Sequence, residues 1–213
     1  MTDKFTVYLV DDDPGVLKAL SRLLRARGYE VKPYFSPQLF LEEHDVTVPG
    51  CAILDVSMPG LDGLELQRAL TAAGGSHRPV VFVTGKGDIP TSVRAMKAGA
   101  IDFLTKPVKD EDLFKAVSSA EALDAESRRL HSELESMQAK VRTLTPRERE
   151  VLTHVVAGRL NKQIAGDLGT VEKTIKAHRA RVMAKMEVTS LAELVRVADK
   201  VGLGGAAETR ASR

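Results

Sequence analysis

The chain has 213 residues and a single cysteine, Cys51. With no second thiol an internal disulfide is excluded. A lone cysteine in an apolar run reads as a small buried hydrophobe in a reducing compartment. Nowhere does an apolar run approach the roughly 18 residues that would span a bilayer. The first ten residues, Met1 to Val10, lack a signal-peptide layout, because Asp3 and Lys4 precede a short strand-like run. The expected location is therefore the cytoplasm. A strong charge of one sign is missing as well: the net charge is +2. Apolar residues make up 43% and charged residues 28%, which excludes disorder as the main theme. That balance hides an asymmetry. Residues 1–120 hold 14 Lys/Arg against 16 Asp/Glu, whereas residues 143–201 hold 11 against 7. The basic excess at the C-terminal end makes nucleic acid a natural partner there.

Short apolar strands alternate with amphipathic helices through the first 120 residues. Strands are expected at Phe5–Val10, Glu30–Phe35, Cys51–Leu54, Val80–Val83 and Ile101–Leu104. Helices are expected at Pro14–Gly28, Ser36–His44, Asp62–Ala73 and Pro90–Ala98, with another from about Asp110. Ser36 is the expected N-cap of its helix, and Asp13, just before Pro14, that of the first helix. This alternation implies a parallel sheet covered on both faces. The crevice of such a sheet lies at the carboxyl ends of its strands. Asp11, Asp12, Asp55, Thr84 and Lys106 all fall at such ends.

No Gly or Pro occurs from Asp110 to Arg142. Leu123, Leu130, Leu134, Met137, Val141 and Leu144 follow a spacing of about three heptads, interrupted at Glu126 and Ser127. Two readings stay open: a coiled coil, or one amphipathic linker helix packed on its own domain. Helix signals fill the remainder. Thr145-Pro146-Arg147-Glu148 is a capping box, and so is Ser190-Leu191-Ala192-Glu193. Asn161 and Thr170 are expected to cap the helices Lys162–Leu168 and Val171–Met186. A short helix, a glycine turn and a longer basic helix make a helix-turn-helix layout. Four segments result: 1–120, a linker 121–142, an all-α unit 143–201 and a flexible tail 202–213.

Acids close together repel unless a cation joins them. Asp11, Asp12 and Asp55 offer hard oxygen donors suited to Mg²⁺. A carboxylate nucleophile can hold a phosphoryl group as an acyl phosphate, provided charge is neutralised around it. Lys106 could neutralise one side, and the Thr84 hydroxyl could face another. Residues 5–120 resemble a receiver domain of the CheY type. The match lies in Val10-Asp11-Asp12-Asp13, Leu54-Asp55-Val56-Ser57-Met58-Pro59-Gly60, Val83-Thr84-Gly85 and Leu104-Thr105-Lys106-Pro107. The resemblance implies that Asp55 is the phosphoacceptor. It makes Asp11, Asp12, Asp55 and the Ser57 carbonyl the Mg²⁺ ligands, Thr84 and Phe103 the switch pair, and the Lys106–Pro107 bond cis. Phe103 stands where many receivers carry tyrosine, so switching must work through packing. Lys86, two residues after Thr84, brings a charge that could alter the lifetime of the phosphoryl group.

The helix Val171–Met186 carries Lys173, Lys176, Arg179, Arg181 and Lys185 against one acid, Glu172. Such a helix can neutralise phosphates. His178 and Lys176 could reach base edges, while Val171, Ile175, Val182 and Met186 form an opposite apolar stripe. Residues 143–201 resemble the LuxR/NarL/FixJ-type output domain. The match rests on the stretches Leu144–Leu152, Gly158–Ala165 and Val171–Arg179. By that resemblance the DNA-contacting residues are Lys162, Lys173, Thr174, Lys176, Ala177, His178, Arg179, Ala180, Arg181 and Lys185. The helix from Ser190 would form a dimer contact.

Together the two resemblances imply a FixJ/NarL/LuxR-type response regulator and not an enzyme. Its expected partners are a histidine kinase, a double-stranded DNA operator, RNA polymerase and, on phosphorylation, a second copy. A haloacid-dehalogenase-type phosphatase also uses an aspartyl nucleophile, but it needs an aspartate two residues later, where this chain has Ser57.

Overall fold

The structure is a computed structural model and describes residues 4–72, 78–85 and 89–203. The chain divides into two compact units, with the division between Arg128 and Arg129.

The first unit alternates strands and helices: β1 (Thr6–Val10), α1 (Pro14–Ala26), β2 (Glu30–Tyr34), α2 (Pro37–Glu43), β3 (Gly50–Asp55), α3 (Gly63–Ala72), β4 (Val80–Thr84), α4 (Ile89–Lys97) and β5 (Asp102–Thr105). The strands pair in parallel in the order β2-β1-β3-β4-β5. This is the doubly wound parallel sheet expected from the sequence.

β1, β3 and β4 are buried along their whole length, so their sequences read as near-continuous apolar runs and not as an alternation. Successive side chains still point to opposite faces. Val7, Leu9, Cys51, Ile53, Val81 and Val83 pack with Leu17, Leu20 and Leu24 of α1. Tyr8, Val10, Ala52, Leu54, Val80 and Phe82 pack with Phe40 of α2 and Leu64, Leu66 and Leu70 of α3. Each fully buried large apolar side chain contributes about 1.5–3 kcal/mol over leaving it in water.

Asp13 caps α1 as expected: its Oδ1 accepts from Gly15 N at 2.7 Å and Val16 N at 3.4 Å. Ser36 caps α2 by accepting from Leu39 N at 3.2 Å. The Lys106–Pro107 bond is cis.

α5 runs without a break from Asp110 to Arg142. Leu113, Ala116, Val117 and Ala120 bury it in the first unit's core. Of the heptad residues, Leu123 and Leu130 are about half exposed, at 51% and 50%. Val141 packs on the second unit's core, and Leu144 is buried in it.

The second unit also holds α6 (Pro146–Val156), α7 (Asn161–Asp167), α8 (Glu172–Met186) and α9 (Leu191–Lys200). Val151, Leu152, Ile164, Ile175, Val182, Met186 and Leu194 form its core. The capping box on α6 is complete. Glu148 N donates to Thr145 Oγ1 at 3.2 Å, and Thr145 N donates to Glu148 Oε2 at 2.9 Å.

Two expected caps are corrected. Leu160, not Asn161, precedes α7, and its N–H donates to Gln163 Oε1 at 2.9 Å. Val171, not Thr170, precedes α8. Thr170 N instead closes the end of α7 on Ala165 O at 2.9 Å, with Gly169 left-handed at φ 62°. Val171 is also 64% exposed and stands outside the apolar stripe assigned to it. Among the described residues no helix is long and apolar enough to cross a membrane.

Candidate functional site

The carboxyl ends of β1, β3 and β5 bring Asp11, Asp55 and Lys106 together. Lys106 Nζ lies 2.6 Å from Asp11 Oδ2 and 2.8 Å from Asp55 Oδ1. Both carboxylates are buried, whereas the lysine keeps an edge in solvent. The other oxygen of each acid takes a backbone N–H. Asp13 N donates to Asp11 Oδ1 at 2.9 Å, and Ser57 N donates to Asp55 Oδ2 at 2.6 Å. Burial pushes the Asp11 carboxyl above its ordinary range, against the hydrogen bonds from Lys106 and the Asp13 N–H. Burial pushes Lys106 the other way, but its bonds to Asp11 and Asp55 outweigh that and raise it.

Thr84 ends β4 fully buried, and its carbonyl accepts from Lys106 N at 2.7 Å. Phe103 on β5 is half-buried, its ring 6.2 Å from that of Phe82. Ser57 and Asp12 are exposed beside the buried acids.

Asp11, Asp12 and Asp55 supply only oxygen donors, the kind that Mg²⁺ takes, so the residues fit the ion by their chemistry. Among the described residues no three acidic, imidazole or thiol groups are clustered as for a metal. Asp11 and Asp55 are joined by Lys106 instead. Lys86 lies outside the described residues.

Sequence reasoning missed Gly63, at the start of α3. A Cβ there would stand 2.2 Å from the Asp55 carbonyl oxygen and 3.0 Å from Phe82 Cε1. Only a residue without a side chain lets α3 begin this close to Asp55. The signal available was a glycine placed directly after a helix-capping acid, Asp62.

In the second unit α8 packs on α6 and α7. Ile175, Val182 and Met186 face the core, which leaves Lys173, Lys176, Ala177, Ala180 and Arg181 exposed on the opposite face. Lys162 on α7 is exposed too, while Thr174, His178 and Arg179 are half-buried. Lys176 reaches Glu172 at 3.2 Å, a surface pair worth about 0–1 kcal/mol. Arg179 Nη1 donates to Asn161 Oδ1 at 3.4 Å, and His178 Nδ1 is buried without a hydrogen-bond partner.

Lys185, also expected in the DNA-contacting set, is half-buried. Its Nζ is 2.6 Å from Glu148 Oε2 and 3.0 Å from Thr143 O, so its charge is spent inside the unit. Those bonds, from Lys185 first and then from Thr145 N, hold the Glu148 carboxyl down at about 2.

Residues 7–118 match the family model of the response regulator receiver domain. Residues 142–198 match that of bacterial regulatory proteins of the luxR family. Response regulator protein TmoT of Ectopseudomonas mendocina is 44% identical over 195 residues, covering 92% of this chain and 88% of the relative. Transcriptional regulatory protein FixJ of Rhizobium meliloti (strain 1021) is 40% identical over 204 residues, or 96% and 99% of the two chains. Among solved structures, response regulator StyR superposes with a TM-score of 0.82 at 45% identity, covering 92% of this chain and 99% of that one. A receiver implies a histidine-kinase partner, and a luxR-family domain implies DNA. The chain belongs to the two-component response regulators of the FixJ/NarL/LuxR type, transcription regulators that join a receiver to a helix-turn-helix domain.

Proposed function

We propose that Asp55 accepts a phosphoryl group from a histidine kinase and that this switches DNA binding through dimerisation. The supporting observation is the Lys106 ammonium held between Asp11 and Asp55, at 2.6 Å and 2.8 Å. In the transfer, the P–N bond of a phosphohistidine breaks as a P–O bond to an Asp55 oxygen forms, and the imidazole leaves with the electron pair. Lys106 neutralises one side of the incoming group as a point charge. Asp11, Asp12, Asp55 and the Ser57 carbonyl would hold Mg²⁺, which supplies charge neutralisation on the phosphoryl oxygens. A mostly apolar groove of about 1090 Å³ between α1 and the Lys106–Asp110 turn opens beside Lys106 and suits an approaching kinase helix.

Phosphorylation draws Thr84 toward the new oxygens, and Phe103 repacks. The surface of α4, β5 and α5 then joins a second copy. Ile89, Val93 and Met96 of α4 leave an apolar patch there, 79%, 44% and 46% exposed. In the dimer the two α8 helices enter successive major grooves, one helical turn or a multiple apart. Lys162, Lys173, Arg179 and Arg181 neutralise phosphates, while Thr174, Lys176, Ala177, His178 and Ala180 lie toward the bases. The bound dimer meets RNA polymerase, in the cytoplasm.

Asp55→Asn tests the switch. With acetyl phosphate and Mg²⁺ the wild type should dimerise and tighten on DNA selected from random sequence, and the variant should do neither. Equal dimerisation of the two proteins under phosphodonor would refute it.

A further inference from the structure

The receiver-family match ends at 118, and the last buried apolar side chain that α5 gives the receiver is Ala120. Leu123 is 51% exposed. Yet Asp124, one residue on, is 4% exposed. Its Oδ2 accepts from Arg128 Nε at 2.8 Å and from Gly50 N at 3.3 Å.

Arg128 uses the rest of its guanidinium on backbone. Nη1 donates to Thr47 O at 2.7 Å, and Nη2 donates to Val48 O at 2.7 Å and Val46 O at 3.1 Å. Arg78, before β4, approaches the same loop, donating from Nη2 to Asp45 O at 2.7 Å and Val48 O at 3.2 Å. The carbonyls of residues 45 to 48 thus converge on two planar forks. Only guanidinium presents donors in that geometry, so an ammonium could not replace it.

The loop leads into β3. Gly50 is the first residue of that strand, and a Cβ there would stand 2.1 Å from Thr6 O and 2.9 Å from Arg78 Nη1. Asp55 is the last. Hydrogen-bonded to β1 and β4 on its two edges, β3 is a stiff strut. One end carries the phosphoacceptor, and the other is tied to Asp124.

We infer that Asp124 and Arg128 bolt residues 121–128 of α5 to the receiver, and that this clasp couples the receiver's phosphorylation state to the helix that leaves it. The inference rests on the phospho-switch proposed above. Arg128 is a positioning residue: it lies at the far end of β3 from Asp55 and takes no part in phosphoryl transfer.

The test uses the full chain, with wild type, Arg128→Ala and Arg128→Lys compared. Three quantities are read: phosphoryl incorporation from acetyl phosphate, amide exchange over 121–128, and the gain in affinity on phosphorylation for DNA selected by the wild type. Both variants should incorporate phosphate as the wild type does. Both should lose exchange protection over 121–128, the mark of local opening. The gain in DNA affinity should fall by about tenfold, the size of an ordinary coupling between sites. Phosphoryl incorporation that falls together with the gain would reduce Arg128 to a general stability role and overturn the inference. A variant that keeps the wild-type gain, or the wild-type protection, also overturns it, and so does rescue by lysine. If Arg128→Ala does not fold, Arg128→Lys alone decides. No phosphodonor response in the wild type would instead sink the switch itself.

Discussion

Asp11 lies in a place that works against its ionisation. Burial raises its carboxyl more than Lys106 and the Asp13 N–H lower it. The native state therefore binds this proton more tightly than the unfolded chain does. Stability consequently falls as pH rises from the ordinary aspartate value of about 3.9 through the raised native value. Ionising Asp11 there costs the receiver stability, which its ion pair with Lys106 offsets in part. Asp11→Asn should raise the receiver's melting temperature at pH 7 and weaken phosphoryl incorporation from acetyl phosphate. Calorimetry showing an equal or lower temperature would contradict the electrostatic account. Lys106 has the opposite dependence. Its raised native value means that its contribution is complete below about 10.4 and is lost as pH climbs through that raised value.

Helix α8 separates two kinds of residue that sequence periodicity had already separated. Ile175 is fully buried, and Lys173 is exposed three residues from Lys176 on the opposite face. Ile175→Ala should destabilise the output unit by about 2–5 kcal/mol. Lys173→Ala should leave its melting unchanged but lower the slope of log affinity for DNA against log salt by about 0.9. A stability loss from Lys173→Ala, or an unchanged slope, would mean that this face is not the one meeting phosphates.

Helix positions were legible to within a residue or two, because apolar spacing is a local property. Caps were less so. Thr170 looks like a cap for α8, yet its N–H belongs to the end of α7, where it closes on Ala165 O. The tight glycine turn starts α8 one residue later than expected, so Val171 stands at the capping position.

Across the whole molecule the two units should answer acid differently. Glu148 is held down at about 2 by Lys185 and Thr145. A depressed carboxyl contributes stability above its unfolded value near 4.3, and that stability is lost as pH falls toward 2. The output unit should therefore weaken across that window, while the Asp11 contribution in the receiver improves. Thermal unfolding of wild type and Glu148→Gln should differ at pH 6 and converge near pH 2. A constant difference over that range would remove Glu148 as the acid-labile contact. The uneven charge is visible at this scale as well, with the basic excess in 143–201 on the unit that carries the helix-turn-helix.

The amino-acid sequence by itself determined the parallel α/β receiver, the helical output unit and the strand tips bearing Asp11, Asp55, Thr84 and Lys106. Strand runs, their terminal acids and helix spacing are short-range patterns, and topology then carries every strand's carboxyl end to one edge. Tertiary structure alone decided the pairings. Lys106 meets Asp11 across 95 residues, Gly50 meets Asp124 across 74, and Lys185 turns inward to Glu148 across 37. Such partners are selected by packing, which sets the distance and the exclusion of water that make one charge pair stronger than its rivals. No pattern within a few residues along the chain records that choice.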